Sequence, residues 1–372
     1  MFAGPASGPF ADQDVLECVY TECDVRSDRF ERKGPNLKNR KLPENVVVSR
    51  SRLSDDNGTF IEPVLLGAIH GDDIDIEKFP YAFEIDTDVL DWLCAMTHES
   101  PTARSLLIEA QMEGWAVCLD DLGNEAFSID DEAHCISLSH FGFTANALGR
   151  SAHYRNLMFV SFVKALREIW HEREGHDFRD THRPEAVLML ERARAADLET
   201  IAILSAWELR GAGFGDTWRY ILGSEEGDMA MIFTRAIEKD PAGFYDGSVL
   251  ARTFCQWYGE ESRVASCDHD ILEQMDILVQ DAQGAQVFGT SPMSAKDVEK
   301  LSRLPATRSY LEGMGRNITT DPYFVSMHDA INESHLFQIV YDSKVVMVEG
   351  VPFRDRKLAR LIFPVAPVKV KE

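Results

Sequence analysis

Between residues 155 and 279 apolar side chains recur at spacings of three and four, and breakers cut the run into helix-length pieces. The pattern predicts helices over Arg155 to Glu172, Glu185 to Arg210, Gly215 to Ile221, Asp228 to Glu238, Gly247 to Tyr258 and Asp268 to Val279. Gly175, Pro184, Gly211 with Gly213, Gly223, Pro241 and Gly259 fall between them, where residues that cannot continue a helix are expected. In the first of these helices Leu157, Phe159, Val160, Phe162, Val163 and Leu166 cover most of the circumference, which predicts burial on several sides. Its polar exceptions align: Ser161, Lys164, Glu168 and His171 form one narrow stripe. Arg194, Asp197, Ser205 and Glu208 form a similar stripe on the next helix, interrupted by Ile201. A buried charge without a partner is costly, so the two stripes are expected to face and satisfy each other.

On the N-terminal side of this helical body the period is mixed. Strands are expected at Val64 to Ile69, Trp115 to Leu119 and His134 to Ser139, and helices at Asp86 to Thr97 and Thr102 to Met112, the latter opened by Ser100-Pro101. The turn-rich segment between the last two strands suits a hairpin or an edge arrangement. Beyond Ser291 the sequence predicts a helix near Ala295 to Leu304 and two strands, Leu336 to Tyr341 and Lys344 to Val348, turned at Asp342-Ser343. Residues 1–60, with basic charge gathered between Arg26 and Arg52, read as a flexible arm with too little apolar surface to order itself. The expectation is an α+β protein: a mainly α-helical central domain over 151–285 with short peripheral β-strands. An α+β entry region over 61–150 precedes it, and a C-terminal extension over 286–372 carries a β-hairpin.

Charge narrows the function classes. With 62 acidic against 38 basic residues the chain carries a net charge of -24, which repels phosphate backbones and anionic lipid. Neither nucleic acid nor a membrane is an expected partner, whereas a protein partner or a second copy of the chain stays open. The seven cysteines are scattered without a Cys-x-x-Cys pair, which fits reduced thiols rather than a zinc knuckle. The N-terminal residues lack a basic stretch followed by an apolar run, and no window approaches the roughly 20 apolar residues of a membrane span, so the cytoplasm is the expected location.

Several motifs have plain structural readings. Gly211, Gly213 and Gly215 follow a helix and lack a Lys-Ser/Thr ending, which points to helix capping rather than a phosphate loop. No Gly-x-Ser-x-Gly elbow is present, and His134, His140 and His153 have no recognisable partner spacing. The polar stretch from Arg316 to His335 fits a cluster of turns and caps as well as it fits a site.

Lys164 to Trp170 (KALREIW), Ala195 to Leu198 (AADL), Trp207-Glu208-Leu209, Gly213 and Trp218, and the later Phe254 to Tyr258, Arg263-Val264 and Asp268, together resemble an uncharacterised bacterial family of zincin-like metallopeptidase domains. In that family a helix with His-Glu-x-x-His, set in a run like HELRHAW, precedes a second helix with EADA and then WEL. The similarity spans about residues 130 to 280, and it implies a zincin-like helical scaffold. The family's chemistry needs two imidazoles one helical turn apart to hold zinc, with the intervening glutamate activating the bound water. Lys164 and Glu168 stand where the imidazoles would be, Ala165 where the general base would be, and Ala195 at the third ligand. The resemblance therefore implies a degenerate member, with no metal expected and no catalytic residue assigned. Arg167, Glu168, His171, Asp197 and Glu208 are the candidates for a remodelled polar pocket. The alternative is a zinc-dependent metallohydrolase using His171, His176 and carboxylates from the second helix, with Glu172 as base. Those histidines would lie about 140° apart on a straight helix, and Gly175 is expected to end the helix between them. The simpler expectation for both is a solvated helix terminus.

Overall fold

A computed structural model describes residues 63–69, 74–176, 178–282, 286–305, 307–344, 346–348 and 351–353. The expected basic arm over 1–60 lies outside the described residues, as do Cys18 and Cys23. The chain divides by its internal contacts into residues 1–44 and 45–372, and every described residue is in the second unit.

The fold is α+β and mainly helical, with a small four-stranded sheet and a separate two-stranded hairpin among the described residues. Strand β1 (Val64–Leu65) leads into a 3-10 turn at Leu66–Ala68, so only the first two residues of the expected strand over 64–69 pair. Helix α1 (Asp86–His98) and helix α2 (Pro101–Glu113) fall where periodicity placed them. The start of α2 is fixed by Ser100, whose Oγ accepts from the Ala103 amide, and by Pro101 in the first turn. Gly114 ends it with φ 80, a left-handed conformation that glycine takes without strain.

Strands β2 (Ala116–Asp120), β3 (Phe127–Asp130) and β4 (Cys135–Ser139) complete the sheet in the order β1-β2-β4-β3. Sequence reasoning placed β2 and β4 correctly but made them candidates for a hairpin; they run parallel, with Val117 opposite Ile136. The reason is β3, which the sequence reading missed. It forms the antiparallel hairpin with β4, with Ile129 opposite Ile136, and leaves the far edge of β4 to β2. β2 and β4 are buried along nearly their whole length, consistent with continuous apolar runs rather than alternation.

The body is built on two long helices, α4 (Ala152–Arg173), preceded by the short α3 (Ala145–Arg150), and α5 (Pro184–Ala212). They pack on each other and on α2, with Phe159, Phe162, Val163 and Leu166 of α4 fully buried or within 1% of it. Gly213, with φ 105, caps α5, whereas Gly211 lies within its last turn and Gly215 precedes α6. Around this pair stand α6 (Asp216–Leu222), α7 (Gly227–Lys239), α8 (Gly243–Asp246), α9 (Ser248–Trp257), α10 (Glu261–Asp281) and α11 (Ala295–Leu301).

The last helices are α12 (Gly315–Thr320), α13 (Pro322–Val325) and α14 (Ala330–Asp342). The strand expected over Leu336 to Tyr341 is a correction: those residues belong to α14. Asp329 caps the helix by accepting from the amides of Ile331 and Asn332, and Leu336 and Ile339, three apart, turn one buried face inward. Asp321 caps α13 in the same way, so the polar stretch from 316 to 335 is largely a set of caps. The hairpin lies further on, where β5 (Val346–Val348) pairs with β6 (Val351–Phe353).

Candidate functional site: a buried charge network between two helices

The facing stripes meet. On α4 and α5, Arg167 and Asp197 are both 0% exposed and form a two-pronged ion pair, Nε to Oδ2 at 2.6 Å and Nη2 to Oδ1 at 3.1 Å. Arg167 also donates through Nη1 to the Arg303 carbonyl at 2.8 Å and through Nη2 to the Leu301 carbonyl at 3.0 Å. The Tyr310 hydroxyl donates to Asp197 Oδ1 at 2.6 Å. His171 brings Nε2 to 2.9 Å from Asp197 Oδ2, off the direction of a full hydrogen bond. Burial works against the Asp197 carboxylate, but the Arg167 guanidinium and His171 hold its pKa below the ordinary range. Burial and the same guanidinium push His171 down to about 4, so its ring is neutral at pH 7.

One turn away a second cation sits among acids. Arg194 is 6% exposed, and its Nη2 lies 2.6 Å from Glu168 and 2.5 Å from Glu172, with Glu191 3.9 Å from Nη1. Burial raises Glu168 despite Arg194, and burial with the nearby Glu168 and Glu172 pushes Glu191 up to about 7. Further along α4, Lys164 pairs with Glu199 of α5 at 2.5 Å, beside a cleft of about 160 Å³ that Ser161, Tyr220 and Glu226 also line. Glu199 and Glu226 hold the ammonium charged against the opposing effect of burial. Ala165 is fully buried in the core, and Ala195 is half-buried.

Four of the five candidate pocket residues, Arg167, Glu168, His171 and Asp197, therefore lie in two adjoining charge clusters. Glu208 does not join them. It accepts from Ser100 Oγ at 2.5 Å, from the Thr102 amide at 2.9 Å and from Thr102 Oγ1 at 2.8 Å, so it clamps the N-terminus of α2, where a carboxylate is favoured by the exposed amides. Ser205 turns back on its own helix, donating to the Ile201 carbonyl.

His171 and His176 correct the expectation of a solvated helix end, being 0% and 2% exposed. Gly175, with φ 71, donates to the Glu172 carbonyl, and the His176 amide donates to the His171 carbonyl at 3.1 Å. This crossed pair of bonds folds the chain back over the last turn of α4. It brings the two imidazole rings to 5.4 Å between centroids, although a straight helix would hold them apart. Neither ring nitrogen of His176 has a hydrogen-bond partner among the described residues.

Sequence reasoning missed Tyr310 and the carbonyls of Leu301 and Arg303, which come from distant segments with no motif of their own. It also missed a second fully buried ion pair, Arg192 of α5 with Asp268 of α10, in which Nη2 lies 2.5 Å from Oδ2. The available signal was Arg192 itself, a charge on a helix whose neighbours Ala193 and Ala196 are core residues. Among the described residues no group of three or more His, Cys, Asp and Glu side chains is arranged to hold a metal ion.

Residues 145–311 match the sequence profile of a family described as Putative metallopeptidase family (DUF6782). That span runs from α3 through α11 to Leu311, and so includes every member of the Arg167–Asp197 network. No curated protein and no solved structure matches the chain significantly. No helix among the described residues is long and apolar enough to cross a membrane.

Proposed function

We propose that residues 145–311 form a metallopeptidase-like domain that works without ordinary zinc-dependent peptide hydrolysis, its facing stripes serving as an ion-pair core. One observation carries this reading: every position that the resemblance assigns to zinc chemistry is a cation, a carboxylate engaged by a cation, or apolar. Lys164 is bonded to Glu199, Glu168 is bonded to Arg194, and Ala165 and Ala195 are methyl groups. Zinc requires several deprotonated nitrogen, sulfur or oxygen donors converging at about 2.0–2.3 Å. An ammonium and an alanine supply none, and a carboxylate already neutralised by a guanidinium is a poor third, so this residue set does not fit the metal. The cations the carboxylates need are instead supplied by Lys164 and Arg194.

The second reading, a metallohydrolase at His171 and His176 with Glu172 as base, draws support from the 5.4 Å approach of the two rings and the unpartnered nitrogens of His176. Against it stand Arg167, Arg194 and Lys300, whose charges all oppose protonation of His176 and would oppose a divalent cation in the same way. Metal analysis of the purified full chain, with cleavage of a fluorogenic peptide library, tests both readings. We expect zinc far below one per chain and no cleavage that a chelator abolishes. Stoichiometric zinc lost in Glu168→Ala would overturn the first reading, and stoichiometric zinc lost in His176→Ala but kept in Glu168→Ala would establish the second.

A further inference from the structure

β3 stands at one edge of the four-stranded sheet, bonded on one side to β4 and on the other to no described strand. The Ser139 amide donates to the Ala126 carbonyl at 3.0 Å, which makes Ala126 and Ser139 a hydrogen-bonded pair. Such pairs alternate along an antiparallel ladder, so Ser128 with Ser137 and Asp130 with Cys135 are bonded in turn. Phe127 and Ile129 then direct their amides and carbonyls away from β4. No described residue bonds these two backbones on the open side. An edge of that kind is a template for one more strand.

The open edge begins at the Lys164 cleft, which Ala126 and Phe127 line together with Lys164, Glu199, Tyr220 and Glu226. At about 160 Å³ the cleft is smaller than the roughly 300 Å³ at which sites for whole drug-sized molecules begin, and it suits a single long side chain. Its charge selects the kind of side chain. Two carboxylates line it against one ammonium, and that ammonium is already bonded to Glu199. Glu226 accepts from the Ser224 hydroxyl at 2.6 Å and has no cation within ion-pair distance among the described residues. The net charge of -24 draws basic partners toward the same surface.

We infer that an extended peptide segment pairs antiparallel with β3, its backbone bonded to Phe127 and Ile129, and sets a lysine or arginine side chain in the cleft against Glu226. Residues opposite each other on paired strands point to one face, so the peptide residue across from Phe127 sends its side chain to the face on which Phe127 lines the cleft. The inference rests on the proposed loss of hydrolysis for the fate of the segment, which is held and not cut.

The experiment selects binders to the full chain from a phage-displayed library of random hexapeptides and measures the best of them, resynthesised with a fluorescent label, by anisotropy. Retained sequences should share one lysine or arginine at a fixed place among β-branched neighbours. N-methylation of that basic residue's own amide should weaken binding about tenfold or more, because this amide donates to β3, whereas N-methylation of the next residue, whose amide points away, should be tolerated. Glu226→Gln, which keeps the size of a half-buried side chain, should also weaken the peptide about tenfold or more, the effect of losing one charge-assisted hydrogen bond. Norleucine in place of the basic residue tests the same contact from the peptide side, with the protein unaltered. The inference is overturned if no hexapeptide is retained, if the retained ones share no basic residue, if the two N-methylations act alike, or if Glu226→Gln and the norleucine peptide bind as well as the parents. Mass spectrometry of the recovered peptide separates the two readings: a cut peptide overturns the proposed loss of hydrolysis, while the binding results decide the docking on β3.

Discussion

Replacing His176 by glutamine should flatten the acid side of the stability curve. The folded chain holds this ring near pKa 3, against 6.5 for the free side chain. The unfolded chain therefore takes up a proton below pH 6.5 that the folded chain refuses. The stability tied to this refusal is complete above pH 6.5 and falls as the solution is acidified toward 3. A whole proton bound by one state and not the other changes stability by about 1.4 kcal/mol for every pH step of one. With partial protonation of the unfolded ring near pH 6.5 taken into account, lowering the pH from 7 to 5 costs the parent about 2 kcal/mol that the variant does not lose. His171, near 4, adds a loss of the same sign to both proteins. Glu191, raised to about 7, acts oppositely, since its folded pKa lies above 4.5 and acidification stabilises it. Both contributions cancel in the difference between parent and variant. Urea unfolding of the two proteins at pH 7, 6 and 5 measures that difference. Parallel curves would refute the reasoning, because they would mean that the ring is protonated or hydrated in the folded chain.

Asp197→Asn should destabilise the fold by about 3–5 kcal/mol, since Arg167 would stay buried without its counter-charge, and Tyr310→Phe by only about 1 kcal/mol for one lost hydrogen bond; urea midpoints rank the two. Glu208→Ala should cost about 1–2 kcal/mol through the loss of its bonds to Ser100 and Thr102, seen as a lower thermal midpoint with no change in the His171 or His176 ring signals. Gly175→Ala meets no atom within 4 Å of the added methyl, so its cost is confined to the left-handed backbone, about 1 kcal/mol, and should appear together with displaced His176 ring signals.

The long helices were legible because their signals are local. α4 and α5 each show period 3.6 over many turns, and the residues that bound them, Gly175, Pro184 and Gly213, act through their own backbone chemistry. The polar stripes were legible for the same reason: Glu168 meets Arg194 and His171 meets Asp197 as two aligned faces should, whereas Arg167, the main partner of Asp197, lies outside the stripe read on α4. Glu208 shows the limit of that argument: it continues the stripe on α5, yet at its level the neighbouring element is the start of α2 rather than α4. Leu336 to Tyr341 shows another limit, because a short apolar run has no period until the cap at Asp329 and the packing face are known.

The sequence by itself determined the helical body, its breakpoints and the facing charges, since periodicity and capping are properties of single segments. Tertiary structure decided which charges pair, that β2 and β4 run parallel, that Tyr310 closes on Asp197, and that His176 returns to His171. Those outcomes depend on which second segment arrives at a given face, and a pattern along one chain carries no record of the distance between two of its parts.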